Sequence, residues 1–203
     1  MASRRAKMME ETRARLIAAA RDAFARNGYA GTSMDDLTAS VGLTRGALYH
    51  NFGDKRGLLA AVVEQIDGEM AAAAQAEAMR RGGSSWDRLL IEGRTYIESA
   101  LDAEVRRIVL LDGPAVLGDP TQWPSQSKCL VATMGALQTL STQGLLKPVP
   151  IEAAARLLNG AALNAALWVA GSETPTTVLR DAVAAFEALA TGILSDDARR
   201  GVL

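Results

Sequence analysis

Nine consecutive residues, Thr44-Arg45-Gly46-Ala47-Leu48-Tyr49-His50-Asn51-Phe52, hold most of the chemistry that stands out in this chain. The guanidinium of Arg45 has the geometry to bond a phosphate, or guanine O6 and N7 together. Gly46 and Ala47 carry almost no side chain, so a helix built on them can lie close to a groove. Tyr49 and His50 follow about one turn later with a hydroxyl and an imidazole, groups that donate to phosphates. Thr44 is a natural helix cap and offers a hydroxyl of its own. Lys55 adds a cation just beyond. Thr32 and Ser33 open the preceding helix and present hydroxyls and backbone amides, which suit an anion. Leu48 and Phe52, four residues apart, share one helical face and are expected to seat the segment on a core. Tyr49 has a second reading as a core aromatic. The pattern as a whole predicts recognition of a nucleic-acid duplex.

The elements around this stretch position it. Leu16, Ile17, Ala20, Ala23 and Phe24 recur at helical spacing, so a first helix is expected from about Glu10 to Arg26. Asn27-Gly28 predicts its end, because glycine tolerates the left-handed backbone found there. Ser33 and Asp36 resemble a capping box for a second helix, Met34 to Val41, only about two turns long. Gly42-Leu43 breaks it, Thr44 caps a third helix to about Phe52, and Gly53-Asp54 precedes a fourth from about Lys55 towards Met79. Two short helices around a tight glycine-containing turn form a helix-turn-helix pattern. Leu37, Val41, Leu43 and Leu48 would supply its core, covered by Leu16, Ala20 and Phe24. Beyond Arg80-Arg81-Gly82-Gly83, helices are expected near 85–100, 104–111, 125–143, 151–170 and 176–194. The fold class is all-α, with a helix-turn-helix domain at 1–54 and a larger helical domain at 55–203.

Composition bounds the function. The 203 residues are 49% hydrophobic and 22% charged, enough for a sizeable core. The net charge of −1 conceals an asymmetry: residues 1–60 sum to +4 and the rest to −5. A basic segment beside an acidic remainder suits a polyanion partner at one end, although ordinary solvated charge has the same appearance. No apolar run approaches the roughly 18 residues of a membrane span. The basic N-terminus is followed by no apolar stretch, so a signal peptide is not expected. His50 is the single histidine and Cys129 the single cysteine, so neither a disulfide nor a metal cluster is expected. There is no Gly-rich phosphate loop, no H-E-x-x-H and no nucleophile elbow. The chain is predicted to be a cytoplasmic protein without a cofactor, a membrane association or an enzyme activity.

The run "LIAAARDAFARNGYAGTSMDDLTASVGLTRGALYHNF" with the following "DKRGLL" resembles the DNA-binding domain of the tetracycline-repressor (TetR) family of transcription regulators. The resemblance implies DNA contacts at Thr32, Ser33, Thr44, Arg45, Gly46, Tyr49, His50 and Lys55. Thr38 departs from the usual small alanine, and Asn51 stands where His or Tyr is common. The resemblance also implies a homodimer, a palindromic double-stranded DNA operator and a small-molecule effector bound by the larger domain. Two apolar helical faces suit pairing with symmetry mates: Leu157, Leu158, Ala161, Ala165 and Trp168, and Val178, Ala182, Ala185, Phe186, Leu189 and Ile193. The same faces could bury within one subunit. The stretch "RRIVLLDGPAVLG" at 106–118 is similar to one found in a group of these regulators. Trp86, Tyr96, Trp123, Met134, Asn164 and Trp168 are candidates for an effector pocket, or for core. The function expected is a repressor released by a small apolar or aromatic effector. The alternative is a constitutive DNA-binding or co-regulator protein whose larger domain only dimerises.

Overall fold

Helix α1, Ala2–Gly31, leaves helical geometry at Gly28 (φ 68°, ψ 169°) and resumes for one last turn. The interruption falls where Asn27-Gly28 predicted a stop. The computed structural model describes residues 2–202, with side chains from 6 to 200. Helix α2 spans Met34–Ser40, α3 Arg45–Phe52 and α4 Lys55–Arg81. Ser33 Oγ accepts from Asp36 N at 3.3 Å and Thr44 Oγ1 accepts from Ala47 N at 3.2 Å. Each cap satisfies an amide that the first turn leaves without a helical partner. Helix α5, Ser85–Glu98, opens on a full capping box between Ser84 and Asp87.

The expected helix at 104–111 is a π-helix, Val105–Asp112, running into the short α6, Gly113–Leu117. Then come α7 (Pro124–Thr142), α8 (Ile151–Gly171), α9 (Pro175–Thr191) and α10 (Asp196–Val202). Among the described residues no strand forms; Leu146 and Leu194 make one isolated antiparallel bridge.

The chain divides into two compact units. The first comprises the described residues up to Ile66 together with Ala103–Gly118. Its core takes Leu16, Ala20 and Phe24 from α1, Leu37 from α2, Leu48 from α3 and Leu58, Leu59 and Val62 from α4. The π-helix adds Val105, Ile108 and Val109 and packs on α1. Polar ties fix this distant segment. Arg21 donates from Nε and Nη2 to the two carboxylate oxygens of Glu104, both at 2.6 Å. Tyr29 N donates to Asp112 Oδ2 at 2.7 Å, and Arg107 pairs with the same carboxylate at 3.3 Å. Arg56 donates to the carbonyls of Val116 and Leu117 at 3.2 and 3.1 Å. Gly28 takes a positive φ that favours glycine, and the Arg107 guanidinium lies where its Cβ would stand.

The second unit holds Asp67–Asp102 and the described residues from Asp119 onward. Trp86, Leu137, Leu140, Leu158, Ala190 and Leu194 form its central apolar cluster. Helices α8 and α9 pack on each other, and both pack on α5. At Gly93 a Cβ would strike the ring of Phe186. Gly93→Ala is therefore expected to destabilise the fold by about 1–3 kcal/mol, the range for overpacking, measurable by thermal or urea unfolding. An unchanged unfolding midpoint would show that α5 and α9 have slack there.

Candidate nucleic-acid interface

Helix α3 is anchored on one side and open on the other. Leu48 is fully buried. Phe52 is half-buried, with the Arg13 guanidinium 4.7 Å from its ring centroid. Arg13 also donates to the Asn51 carbonyl at 3.4 Å, which ties the end of α3 to α1. Thr44, Arg45, Gly46, Tyr49 and His50 are exposed, and Tyr49 at 45% is a large ring left in solvent.

Arg45 does not stand free. Its Nη1 pairs with Asp35 of α2 at 3.3 Å, and its guanidinium lies 5.8 Å from the Tyr49 ring centroid. The pair is well exposed, so it orients Arg45 more than it stabilises the fold. Lys55 is placed in a comparable way. Its Nζ sits 4.5 Å from the Tyr29 ring centroid and donates to the Ala30 carbonyl at 3.5 Å. Partial burial lowers its pKa from the usual lysine value. Burial, then the charge of Asp54, raises that of the Tyr29 hydroxyl. Asp35 and Tyr29 thus position the two cations. Nothing in the spacing of the sequence marks them, because each partner belongs to a different helix from its cation.

Thr32 lies differently from expectation, and Asn51 and Thr38, the two departures from the family pattern, take definite places. Thr32 is only 5% exposed, and its hydroxyl donates to the Gly28 carbonyl at 2.8 Å and is 3.2 Å from that of Ala23. It closes the end of α1 and does not present its hydroxyl outward; Ser33 beside it is exposed. Asn51 donates from Nδ2 to the Ala47 carbonyl of its own helix at 2.8 Å, which leaves His50 as the outward group of that pair. Thr38 is buried without strain, since its hydroxyl reaches the Met34 and Asp35 carbonyls at 3.0 and 3.1 Å.

In the second unit the aromatic and polar pocket candidates take separate places. Trp86 belongs to the central apolar cluster, and the partly buried Met134 packs against it. Tyr96 hydrogen-bonds Gln126 and feels the charge of Asp67, and burial drives its pKa far above the ordinary range. Trp123 is buried with its Nε1 unpartnered, two residues before Ser125. Asn164 and Trp168 lie on the outer face of α8, where Trp168 is 55% exposed. An exposed position does not enclose a ligand.

The expected pairing faces are also rotated. Ala165, Ala182 and Phe186 point into their own subunit and are buried there, because α8 and α9 use those positions to pack on each other and on α5. Val178 and Ile193 are half-buried, and Ile193 packs on the Trp86 cluster. Leu157 (75% exposed), Ala185 and Leu189 (68% exposed) do face outward, with Ala161 at their edge. The outward stripe thus runs through Leu157, Ala161, Asn164 and Trp168 on α8, at spacings of three and four.

Comparison with known proteins agrees with this architecture. The family described as "Bacterial regulatory proteins, tetR family" matches residues 16–62. The family described as "Tetracyclin repressor-like, C-terminal domain" matches residues 86–193. A TetR-family transcriptional regulator from Pectobacterium atrosepticum is 46% identical, covers 94% of this chain and 97% of its own, and superposes with a TM-score of 0.85. The HTH-type transcriptional regulator TtgR of Pseudomonas putida is 34% identical over 102 residues, which are 49% of this chain and 48% of TtgR. The HTH-type transcriptional repressor AcnR of Corynebacterium glutamicum is 37% identical over 60 residues, 30% of this chain and 32% of AcnR. The chain spans about half the length of TtgR and a third of AcnR. No helix among the described residues is long and apolar enough to cross a membrane.

Proposed function

Because the chain belongs to the tetR family of DNA-binding bacterial transcription regulators, which are not enzymes, we propose that it is a homodimeric repressor released from a palindromic operator by a small apolar or aromatic effector. The observation that carries the proposal is the open face of α3. Thr44, Arg45, Gly46, Tyr49 and His50 stand exposed on a helix whose opposite side is locked by Leu48. In a helix-turn-helix such a helix enters the major groove, its first residues on base edges. Arg45 reads a base, while Tyr49, His50, Ser33 and Lys55 hold phosphates.

The exposed Leu157 and Trp168 of α8 and Leu189 of α9 support the dimer, since large exposed apolar side chains favour an interface. A two-fold dimer asks for two half-sites related by a palindrome. The effector regulates only by binding the DNA-competent and incompetent forms unequally. In this proposal it acts through α4, one unbroken helix from Lys55 to Arg81.

Selection of binding sites from random DNA by the purified protein tests the proposal. A palindrome with half-sites about one helical turn apart is expected. Enrichment of no sequence, or of an unrepeated one, would refute the dimeric operator. Lys55→Ala is expected to weaken binding to all duplexes alike and to reduce the salt slope by about one. A loss confined to the selected operator would instead make Lys55 a base reader.

A further inference from the structure

Asp67 is a carboxylate in the interior of the second unit, 6% exposed, on the face of α4 that also buries Val63, Ile66, Met70 and Ala74. Its Oδ2 accepts from Ser125 Oγ of α7 at 2.6 Å, and its Oδ1 has no partner. Among the described residues no lysine or arginine pairs with it. The titratable groups coupled to Asp67 stand on α5 and α7. Its charge reaches the Tyr96 hydroxyl of α5 and the Cys129 thiol of α7, and Glu92 acts on the same thiol. Tyr96 is already bonded to Gln126. Burial raises the pKa of Asp67, Glu92 and Cys129 from their usual values, with Ser125 opposing the shift at Asp67 and Arg88 that at Glu92.

A buried polar atom without a partner is rare in folded proteins and asks for a missing one. A water or a neutral donor would satisfy Oδ1 but would not offset the burial that disfavours the carboxylate. A protonated amine supplies the hydrogen bond and the opposite charge together, and the low local dielectric strengthens both.

The geometry points to Asp67 as the polar anchor of an effector site, with Ser125 orienting it, for an apolar molecule that carries a protonated amine. This rests on the effector-released reading above and names the chemical class of the effector. It also gives the ligand a direct hold on α4, since Asp67 is a residue of that helix.

The test uses the full-length protein and three probes of like size: 1-naphthylmethylamine, 1-naphthylmethanol and 1-naphthoate. Binding is followed by thermal shift and by tryptophan fluorescence. The amine is expected to bind at least about tenfold more tightly than the alcohol, and the carboxylate most weakly. Asp67→Asn is expected to remove that preference and to leave the affinity for the alcohol within about twofold, since the amide keeps the shape and loses the charge. No preference for the amine in the unsubstituted protein, including no binding by any probe, overturns the inference, and that arm needs no variant to fold. An unchanged amine preference in Asp67→Asn overturns it as well. Operator release is measured separately. Amine binding through Asp67 without release keeps the site and refutes effector control. Release by the alcohol as readily as by the amine keeps effector control and refutes the role of Asp67.

Discussion

The double substitution Leu157→Asp, Leu189→Asp is expected to turn the protein into a monomer and to lower operator affinity by roughly 10²- to 10⁴-fold, the range for losing a linked second site. Both side chains lie mostly in solvent, at 75% and 68% exposure, so aspartate at either position costs the isolated subunit little. In a two-fold interface each substitution appears twice, and four carboxylates would be desolvated close to their symmetry mates. Dissociation is the cheaper outcome. The expected signature is a halved mass in sedimentation or light scattering, an unchanged helical spectrum, and half-site binding that no longer depends on the second half-site. A dimer that survives the double substitution at micromolar concentration would rule out this face. Ala182 and Phe186 cannot serve the same test, because they are buried in the subunit and charges there would unfold it.

The second large effect belongs to Arg45. Arg45→Ala is expected to cost about 1–3 kcal/mol per half-site and to relax the preference at one base pair. Two such losses in a dimer compound. The free protein holds Arg45 against Asp35 and Tyr49, so reaching a base means exchanging one carboxylate partner for guanine O6 and N7. Asp35→Asn separates these contributions. It frees Arg45 and removes a negative charge from a surface that approaches phosphates, so affinity for unrelated duplexes is expected to rise and discrimination to fall. The readout is the ratio of operator to random-duplex affinity at one fixed salt concentration, since affinities at different salt are not comparable. If Arg45→Ala leaves that ratio unchanged, α3 does not read bases through this residue.

Much of the candidate interface was legible in the sequence. Thr44 and Ser33 cap their helices as their residue types predict, and Leu48 is buried where helical spacing puts it. These are local properties: a cap needs only the amide three residues ahead, and a face needs only a period of 3.6. Thr32 escaped the same logic. Its hydroxyl had two uses, a phosphate or the end of α1, and only the path of the chain past Gly28 brings the carbonyls of Ala23 and Gly28 within its reach. Asn51 likewise turned back on its own helix, a choice between partners that residue type leaves open.

The faces of α8 and α9 show the limit most clearly. The sequence by itself determined that the chain is helical, where the caps of α2 and α3 and the interruption at Gly28 fall, that a helix-turn-helix opens it, and that α8 and α9 carry apolar residues on more than one side, while α6, α10 and the start of α1 at Ala2 were not foreseen. It did not determine which side turns inward. Alanine and leucine recur so densely there that several stripes satisfy the helical period, and a rotation of one position, about 100°, exchanges an inner residue for an outer one. Packing against α5 made the choice, where Gly93 admits the Phe186 ring, and so left Leu157, Trp168 and Leu189 outside. The docking of 103–118 on α1 and the meeting of Asp67 with Ser125 were tertiary decisions too. Their partners stand 83 and 58 residues apart, and no period or cap in a sequence reports a pairing across that distance.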